Sequence, residues 1–211
     1  MIKHEELLSH IEKHVGEIDG SLGEIVPGSD VTVNLHIIKP TEKRECTTLV
    51  TTGMSDLPMK GERVDDELQF AELMICLPST WPITKEELVK PENYWPLGFL
   101  RQTAHLPHLF EGWIDEGVII PNEEPPIPFA RNTELSSLLV MRPEKEGLRV
   151  FEKNGKMVNF YQLVPLYEDE RKLAMKKGSQ TLIHKLKKHV DTPHVLDIER
   201  KNTAKPFWKI G

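Results

Sequence analysis

The nearest approach in this sequence to a nucleophile and its partner is Gly53-Met54-Ser55-Asp56-Leu57. It has the first glycine of a G-x-S-x-G elbow and lacks the second, so the strained turn that would raise the serine hydroxyl is unsupported. Ser55 and Asp56 after a strand read more simply as turn caps. Lys177-Gly178-Ser179 ends like a phosphate-binding loop, but no GxxxxGK[ST] precedes it and it falls between two helical stretches. His105-x-x-His108 has helical spacing, yet Pro107 lies between the two and no carboxylate motif surrounds them. His184 and His189 are five apart and belong to different helix faces. Both pairs read as structural or surface histidines, with no metal or cofactor implied. Glu168-Asp169-Glu170 could pass for an acid cluster, but three carboxylates at a helix start also meet free N–H groups and the positive end of the dipole. Lys176, Lys177, Lys185, Lys187 and Lys188 fall toward helix C-termini, and no aromatic residue interleaves with them as a nucleic-acid surface would require. No catalytic constellation survives, and no enzyme is expected.

The elements that would carry these groups follow from periodicity. Ile2, Leu7, Leu8, Ile11 and Val15 predict an opening helix ended at Gly16. Gly20, Gly23, Pro27 and Gly28 predict a loop. The alternation of Val31, Val33, Leu35 and Ile37 predicts a strand, and β-branched 47–52 a second one paired with it. The run 70–77 reads as a central strand broken only by Glu72, which must be edge-facing, paired or functional, because an unpaired buried carboxylate is costly. Trp95-Pro96-Leu97 predicts a helix start with proline in its first turn, with Leu97, Leu100, Ala104, Leu109 and Phe110 toward one face and Pro107 kinking or ending it. Trp81 and Trp95 beside prolines read as core plugs or as interface anchors. Residues 117–120 and 135–141 predict strands around an irregular segment with four prolines between Pro121 and Pro128. Asn154-Gly155, flanked by 150–151 and 157–164, is the strongest hairpin signal. Helices follow at 168–177 and behind Ser179 as an N-cap, with Leu182, Ile183 and Leu186 as a buried stripe and an extended tail packed on the body. The fold class expected is α+β, a mixed and mostly antiparallel sheet flanked by helices.

The 211 residues suit a single domain spanning 1–211, with a helix in 1–20 and a basic tail in 190–211. Lys and Arg number 27 against 33 Asp and Glu, a net charge of −6, but the charge is uneven. Residues 1–170 hold 16 basic and 30 acidic side chains, or −14, whereas 171–211 hold 11 and 3, or +8. An acidic body favours a cationic partner over nucleic acid or an anionic membrane, unless body and tail neutralise each other. No long apolar span and no secretory leader pattern is present, and two cysteines without CxxC spacing exclude a disulfide framework or zinc ribbon. Cys46 and Cys76 in strand-like runs read as buried free thiols in a reducing cytoplasm.

Three stretches together resemble the suppressor-of-fused family in its shorter bacterial form. They are Thr47–Met59, with Gly-Met-Ser-Asp inside it; Ala71–Pro78 with Trp81 and Trp95-Pro96-Leu97; and Phe160–Glu170, Phe-Tyr-Gln-Leu-Val-Pro-Leu-Tyr-Glu-Asp-Glu. They occur in the family's order, and the resemblance covers about residues 30–190. It implies a non-enzymatic protein-binding module. Bacterial members resemble immunity proteins that neutralise a cognate toxin, often a nuclease; animal members resemble partners that sequester a transcription factor. A basic toxin is the partner expected, without direct nucleic-acid or membrane binding. Most motif positions, Tyr161 and Tyr167 among them, are expected to hold the fold. Partner contacts are expected in exposed loops, with Met54, Ser55, Asp56, Trp81, Tyr167, Glu168, Asp169 and Glu170 as candidates.

Overall fold

A computed structural model describes residues 4–25, 29–42, 44–61 and 65–205. Eight strands form one sheet: β1 (Gly20–Leu22), β2 (Asn34–Ile38), β3 (Cys46–Thr52), β4 (Phe70–Pro78), β5 (Ile119–Pro121), β6 (Leu135–Met141), β7 (Val150–Lys153) and β8 (Lys156–Tyr167). Their spatial order is β1-β2-β3-β4-β8-β6-β5, with β7 also on β8. Only β4 and β8 pair in parallel; the remaining pairs are antiparallel. The helices are α1 (His4–His14), α2 (Pro91–Leu109), α3 (Glu168–Lys177) and α4 (Ser179–His189). This is the α+β, mostly antiparallel architecture expected.

The alternation of side chains along each strand decides what covers which face. Leu49, Leu73, Ile75, Leu77, Tyr161 and Leu163 join the core against α2 through Leu97, Leu100 and Ala104. Their neighbours Val50, Met74, Cys76, Val158 and Phe160 face the other way and bury Leu7 and Ile11 of α1. Farther along, Val164 and Leu166 meet Leu182, Ile183 and Leu186 of α4. A sheet covered on both faces explains why β3 is buried at every position. Each buried leucine or isoleucine contributes about 1.5–3 kcal/mol.

Several local expectations need correction. Residues 20–22 form a short edge strand on β2 rather than loop alone; three residues are too few for an alternation to register. The helix expected at Trp95 starts earlier, with Pro91 in its first turn. Pro96 then lies inside it and cannot donate to the Glu92 carbonyl; Asn132 Nδ2 reaches that oxygen at 3.4 Å instead. Leu109 and Phe110 are exposed rather than part of the buried face. Ser179 is the first residue of α4, and Gly178 occupies the cap with φ of 85°. β8 runs on through Pro165, which is tolerated because β6 alone pairs there and the missing N–H costs no ladder bond on that side. At the expected hairpin, Asn154 and Gly155 both have positive φ, 53° and 75°, as a type I′ turn requires. Ile2, Pro27, Gly28, Pro206, Phe207 and Trp208 lie outside the described residues.

The tail enters a gap left by the sheet. β4 and β8 pair from Phe70/Val158 to Met74/Gln162. Past that point Val195 bridges Cys76, Leu196 N–H donates to the Cys76 carbonyl at 2.8 Å, and the Gln162 amide donates to the His194 carbonyl.

Candidate functional site

The Gly-Met-Ser-Asp stretch leaves β3 as a single 3-10 turn, Met54–Asp56, behind Gly53 at φ 101°. A Cβ at Gly53 would lie 2.0 Å from the Thr32 carbonyl oxygen, so only glycine fits. The turn closes on Glu72 of β4, which is fully buried. Its Oε1 accepts from Gly53 N (3.0 Å), Ser55 N (3.0 Å) and Ser55 Oγ (2.7 Å), and its Oε2 accepts from Thr51 Oγ1 at 2.6 Å. Burial pushes the Glu72 carboxyl upward, against the hydrogen bonds from Thr51 and Ser55 that favour its charged form. Of the three readings open for Glu72, the geometry selects the paired one.

Two more groups seal this turn. Lys156 Nζ donates to the Ser55 carbonyl at 2.6 Å and lies 3.9 Å from the centre of the Phe70 ring. Burial lowers the Lys156 pKa, while Asp56 and Glu72 pull it back. His108 Nε2 donates to the Met54 carbonyl at 3.0 Å, which fastens the end of α2 to the turn; burial lowers the His108 pKa. Ser55 therefore has neither exposure nor a histidine base. The other histidine of the pair, His105, bridges Glu24 (2.9 Å) and Ser29 Oγ (2.8 Å). The same groups accept from Val33 N and Val31 N, so this line of serine, histidine and glutamate staples 24–33 onto α2. Among the described residues no three His, Cys, Asp or Glu side chains gather as a metal set.

A second buried carboxylate organises the other end of β8. Glu170, in the first turn of α3, is fully buried. Arg200 from the tail grips it with two hydrogen bonds, Nη1 to Oε1 at 2.7 Å and Nη2 to Oε2 at 2.6 Å. Thr203 adds its N–H and hydroxyl, and the Tyr167 N–H donates to Oε2. Burial pushes Glu170 up, but Arg200 and Thr203 outweigh it and leave its pKa below the ordinary value. The Tyr167 hydroxyl donates to the Arg200 carbonyl at 2.7 Å, and Tyr161 to Asp115 at 2.9 Å.

The candidate residues thus form two groups. Glu72 lies opposite Phe160, seven residues from Tyr167 along β8, or about 23 Å at 3.3 Å per residue. One group holds Met54, Ser55 and Asp56; the other holds Tyr167, Glu168, Asp169 and Glu170. Met54, Ser55, Tyr167 and Glu170 are buried, contrary to the expectation of exposed loops, because their polar atoms complete internal networks. Asp56 and Asp169 are exposed and Glu168 is half-buried beside Arg171. Trp81 is half-buried, its Nε1 donating to the Asn93 carbonyl and its ring edge-on to buried Trp95. Periodicity did not reveal Leu57, Leu109, Phe110 and Trp113, which are all exposed. The His108–Met54 bond brings the Leu109–Phe110 end of α2 beside Asp56 and Leu57. Exposed aromatic and aliphatic residues of this kind are typical interface anchors. Nothing in the spacing of His-Leu-Phe-Glu-Gly-Trp distinguishes them from core residues.

Comparison with known proteins follows the same outline. A family model described as "Suppressor of fused protein (SUFU)" matches residues 29–201, a span that takes in both buried glutamates and Arg200. No match was found among curated protein sequences. Among solved structures, the fold is similar to one described as the Sufu-Fu complex, with a TM-score of 0.69, 16% identity, and coverage of 95% of this chain and 91% of that one. It is also similar to a SUFU homolog from Neisseria gonorrhoeae, with a TM-score of 0.64, 18% identity, and coverage of 96% and 97%. Drosophila Suppressor of Fused gives a TM-score of 0.65 and 15% identity; the match covers 94% of this chain and half of that protein.

Proposed function

This chain belongs to the suppressor-of-fused family, and from that premise we propose that it is a non-enzymatic protein-binding module whose specific task is to bind and neutralise a basic, nuclease-type toxin. One observation carries the reading: the serine, histidine and glutamate side chains that could do chemistry are engaged in internal hydrogen bonds. What remains outside is surface. Leu57, Leu109, Phe110 and Trp113 supply apolar anchors, and Asp30, Asp56 and Glu111 supply exposed acidic neighbours. The charge of −14 over residues 1–170 would steer a basic partner toward the body and fix its orientation. Arg200 and Lys205 face Glu170 and Asp169, so part of the basic tail neutralises its own body, while Lys176, Lys177, Lys187 and Lys188 stay exposed. Two free buried thiols suit the cytoplasm.

A second reading is sequestration of a regulatory protein, favoured by the fold's similarity to a structure described as the Sufu-Fu complex. A pull-down with tagged protein from the source organism, washed at low and then moderate salt, separates the two. Recovery of a basic nuclease-like protein released by salt supports toxin neutralisation. Recovery of a DNA-binding regulator supports sequestration and removes the toxin. Failure to bind the product of any adjacent toxin-like gene contradicts the first reading.

A further inference from the structure

Cys46 and Cys76 belong to neither carboxylate network, and their setting differs from that of inert core thiols. They lie on adjacent antiparallel strands, with Cys76 opposite Thr48 and Cys46 opposite Pro78. Side chains two apart on a strand share a face, so Cys46, Thr48 and Cys76 point the same way. Thr48 Oγ1 lies 4.0 Å from Cys46 Sγ and 3.7 Å from Cys76 Sγ. Both cysteines line a cavity of about 230 Å³, together with Arg44, His14, Gln162 and His194. Each cysteine is at most 3% exposed, so the cavity is the route by which a small molecule meets them.

Arg44 makes the pair asymmetric. Its Nη1 stands 3.4 Å from Cys46 Sγ and also donates to the Cys46 carbonyl at 2.5 Å. Pro78, across the ladder, has no N–H to offer that carbonyl. Nη2 donates to the Lys39 carbonyl and Nε to the Val15 carbonyl, which fix the guanidinium in place. Among the described residues no carboxylate pairs with Arg44, so its charge faces the sulfurs. The neighbouring Cys76 thiol and Arg44 favour the Cys46 thiolate against its burial, while the Cys46 charge and burial hold Cys76 protonated. A thiolate next to a cation and a neighbouring thiol is the arrangement of an oxidisable pair.

We infer that Cys46 and Cys76 form a hydroperoxide-reactive thiol pair, with Cys46 the attacking and Cys76 the resolving residue. The Cys46 thiolate attacks one peroxide oxygen; the O–O bond breaks, Cys46 becomes a sulfenic acid, and the departing oxygen leaves as an alcohol or water after taking a proton. The Cys76 sulfur then attacks the Cys46 sulfur; an S–S bond forms, the S–O bond breaks, and hydroxide leaves with the Cys76 proton as water. The two thiols lose two electrons in all, and the peroxide gains them. Bringing the sulfurs to about 2.05 Å requires the strands to close locally. Cys46 is the first residue of β3 and stands opposite Pro78, which offers it no N–H, so the closure falls where the ladder is thinnest.

The test uses the native full-length protein and hydrogen peroxide. Expected are a mass loss of about 2 Da, the disappearance of both alkylatable thiols, and reversal by dithiothreitol. Cys76→Ser should stop at a sulfenic acid trapped by dimedone, Cys46→Ser should not react, and Arg44→Gln should react about tenfold more slowly. If both thiols of the wild type stay free in the native state and oxidise only after unfolding in urea, the inference is overturned. A disulfide joining two chains, seen on a non-reducing gel, overturns it equally. Both outcomes are read from unmodified protein, whatever the variants do to folding.

Discussion

Ser55 Oγ donates to Glu72 Oε1 at 2.7 Å, and the serine and the carboxylate are both buried. The hydroxyl that resembles a nucleophile in the sequence is a structural donor in the fold. Glu72 gathers the turn after β3 at one end of the sheet, and Glu170 gathers the tail at the other. Each carboxylate has at least four donors, which makes its burial affordable and its removal costly.

Glu72→Gln presents an amide nitrogen where an oxygen accepted, and at least one buried donor loses its partner. We expect a loss of about 3 kcal/mol, read as a lower urea midpoint at unchanged m-value. Ser55→Ala removes a single donor and should cost about 1.5 kcal/mol while leaving partner binding intact. A binding defect in the folded Ser55→Ala protein would place this serine at the partner surface.

Gly53→Ala sets a methyl group 2.0 Å from the Thr32 carbonyl at a φ of 101°. Neither backbone nor neighbour can yield cheaply, so the variant should accumulate poorly or lose at least about 3 kcal/mol. A thermal midpoint equal to that of the wild type would contradict the turn described.

Arg200→Ala strands a buried carboxylate, and we expect a loss of about 3–5 kcal/mol. Adding Glu170→Gln should recover part of it, because the double variant no longer buries an unpaired charge. Truncation after Val190 should resemble Arg200→Ala in direction and exceed it, since Thr203 and the Leu196–Cys76 bond go as well. Additive costs in the double-mutant cycle would show that the two side chains do not act together.

Acid should destabilise the protein in two stages. Burial lowers the His36 pKa from 6.5 to about 4, and His10, His14 and His108 shift the same way. Because the unfolded chain takes these protons first, stability falls as pH drops from 6.5 toward 4. Glu170 acts lower: its depressed pKa gives stability that is complete above the ordinary glutamate value and lost as pH falls through the folded one. Glu72 opposes both, since its raised pKa gives stability present at low pH and lost as pH rises through the folded value. Thermal midpoints between pH 7 and 4 check this, and His36→Gln should flatten the upper part of the profile. An increase in midpoint over that range would contradict the assignment.

Much of this fold was legible in the sequence. Alternation marked β2, the run 135–141 read as a buried strand marked β6, and Asn154-Gly155 fixed the β7–β8 hairpin. The odd Glu72 in an apolar run called for an edge, a partner or a function, of which the fold supplies the partner. The partner of Glu170 was not legible, because Arg200 lies 30 residues on and only the divergence of β4 from β8 admits the tail between them. Leu109 and Phe110 are exposed because they lie off the buried face. Leu109 is nine residues beyond Leu100 and five beyond Ala104, which at 3.6 residues per turn sets it on the far side of the helix, and Phe110 follows the last helical residue in extended backbone. Proline misled in the helix, since Asn132 supplies the donor that Pro96 withholds; in the strand Pro165 costs no ladder bond, and its carbonyl accepts from Arg200 of the tail.

The most direct measurement is growth of cells that express the toxin-like product of the gene beside this one, with and without the protein. The account predicts that wild type and Ser55→Ala both relieve the growth arrest. It also predicts that reversing Asp56 and Glu111 to lysine, with the fold confirmed by circular dichroism, weakens that relief. Arrest that persists at equal expression of the folded wild-type protein would contradict toxin neutralisation as its function.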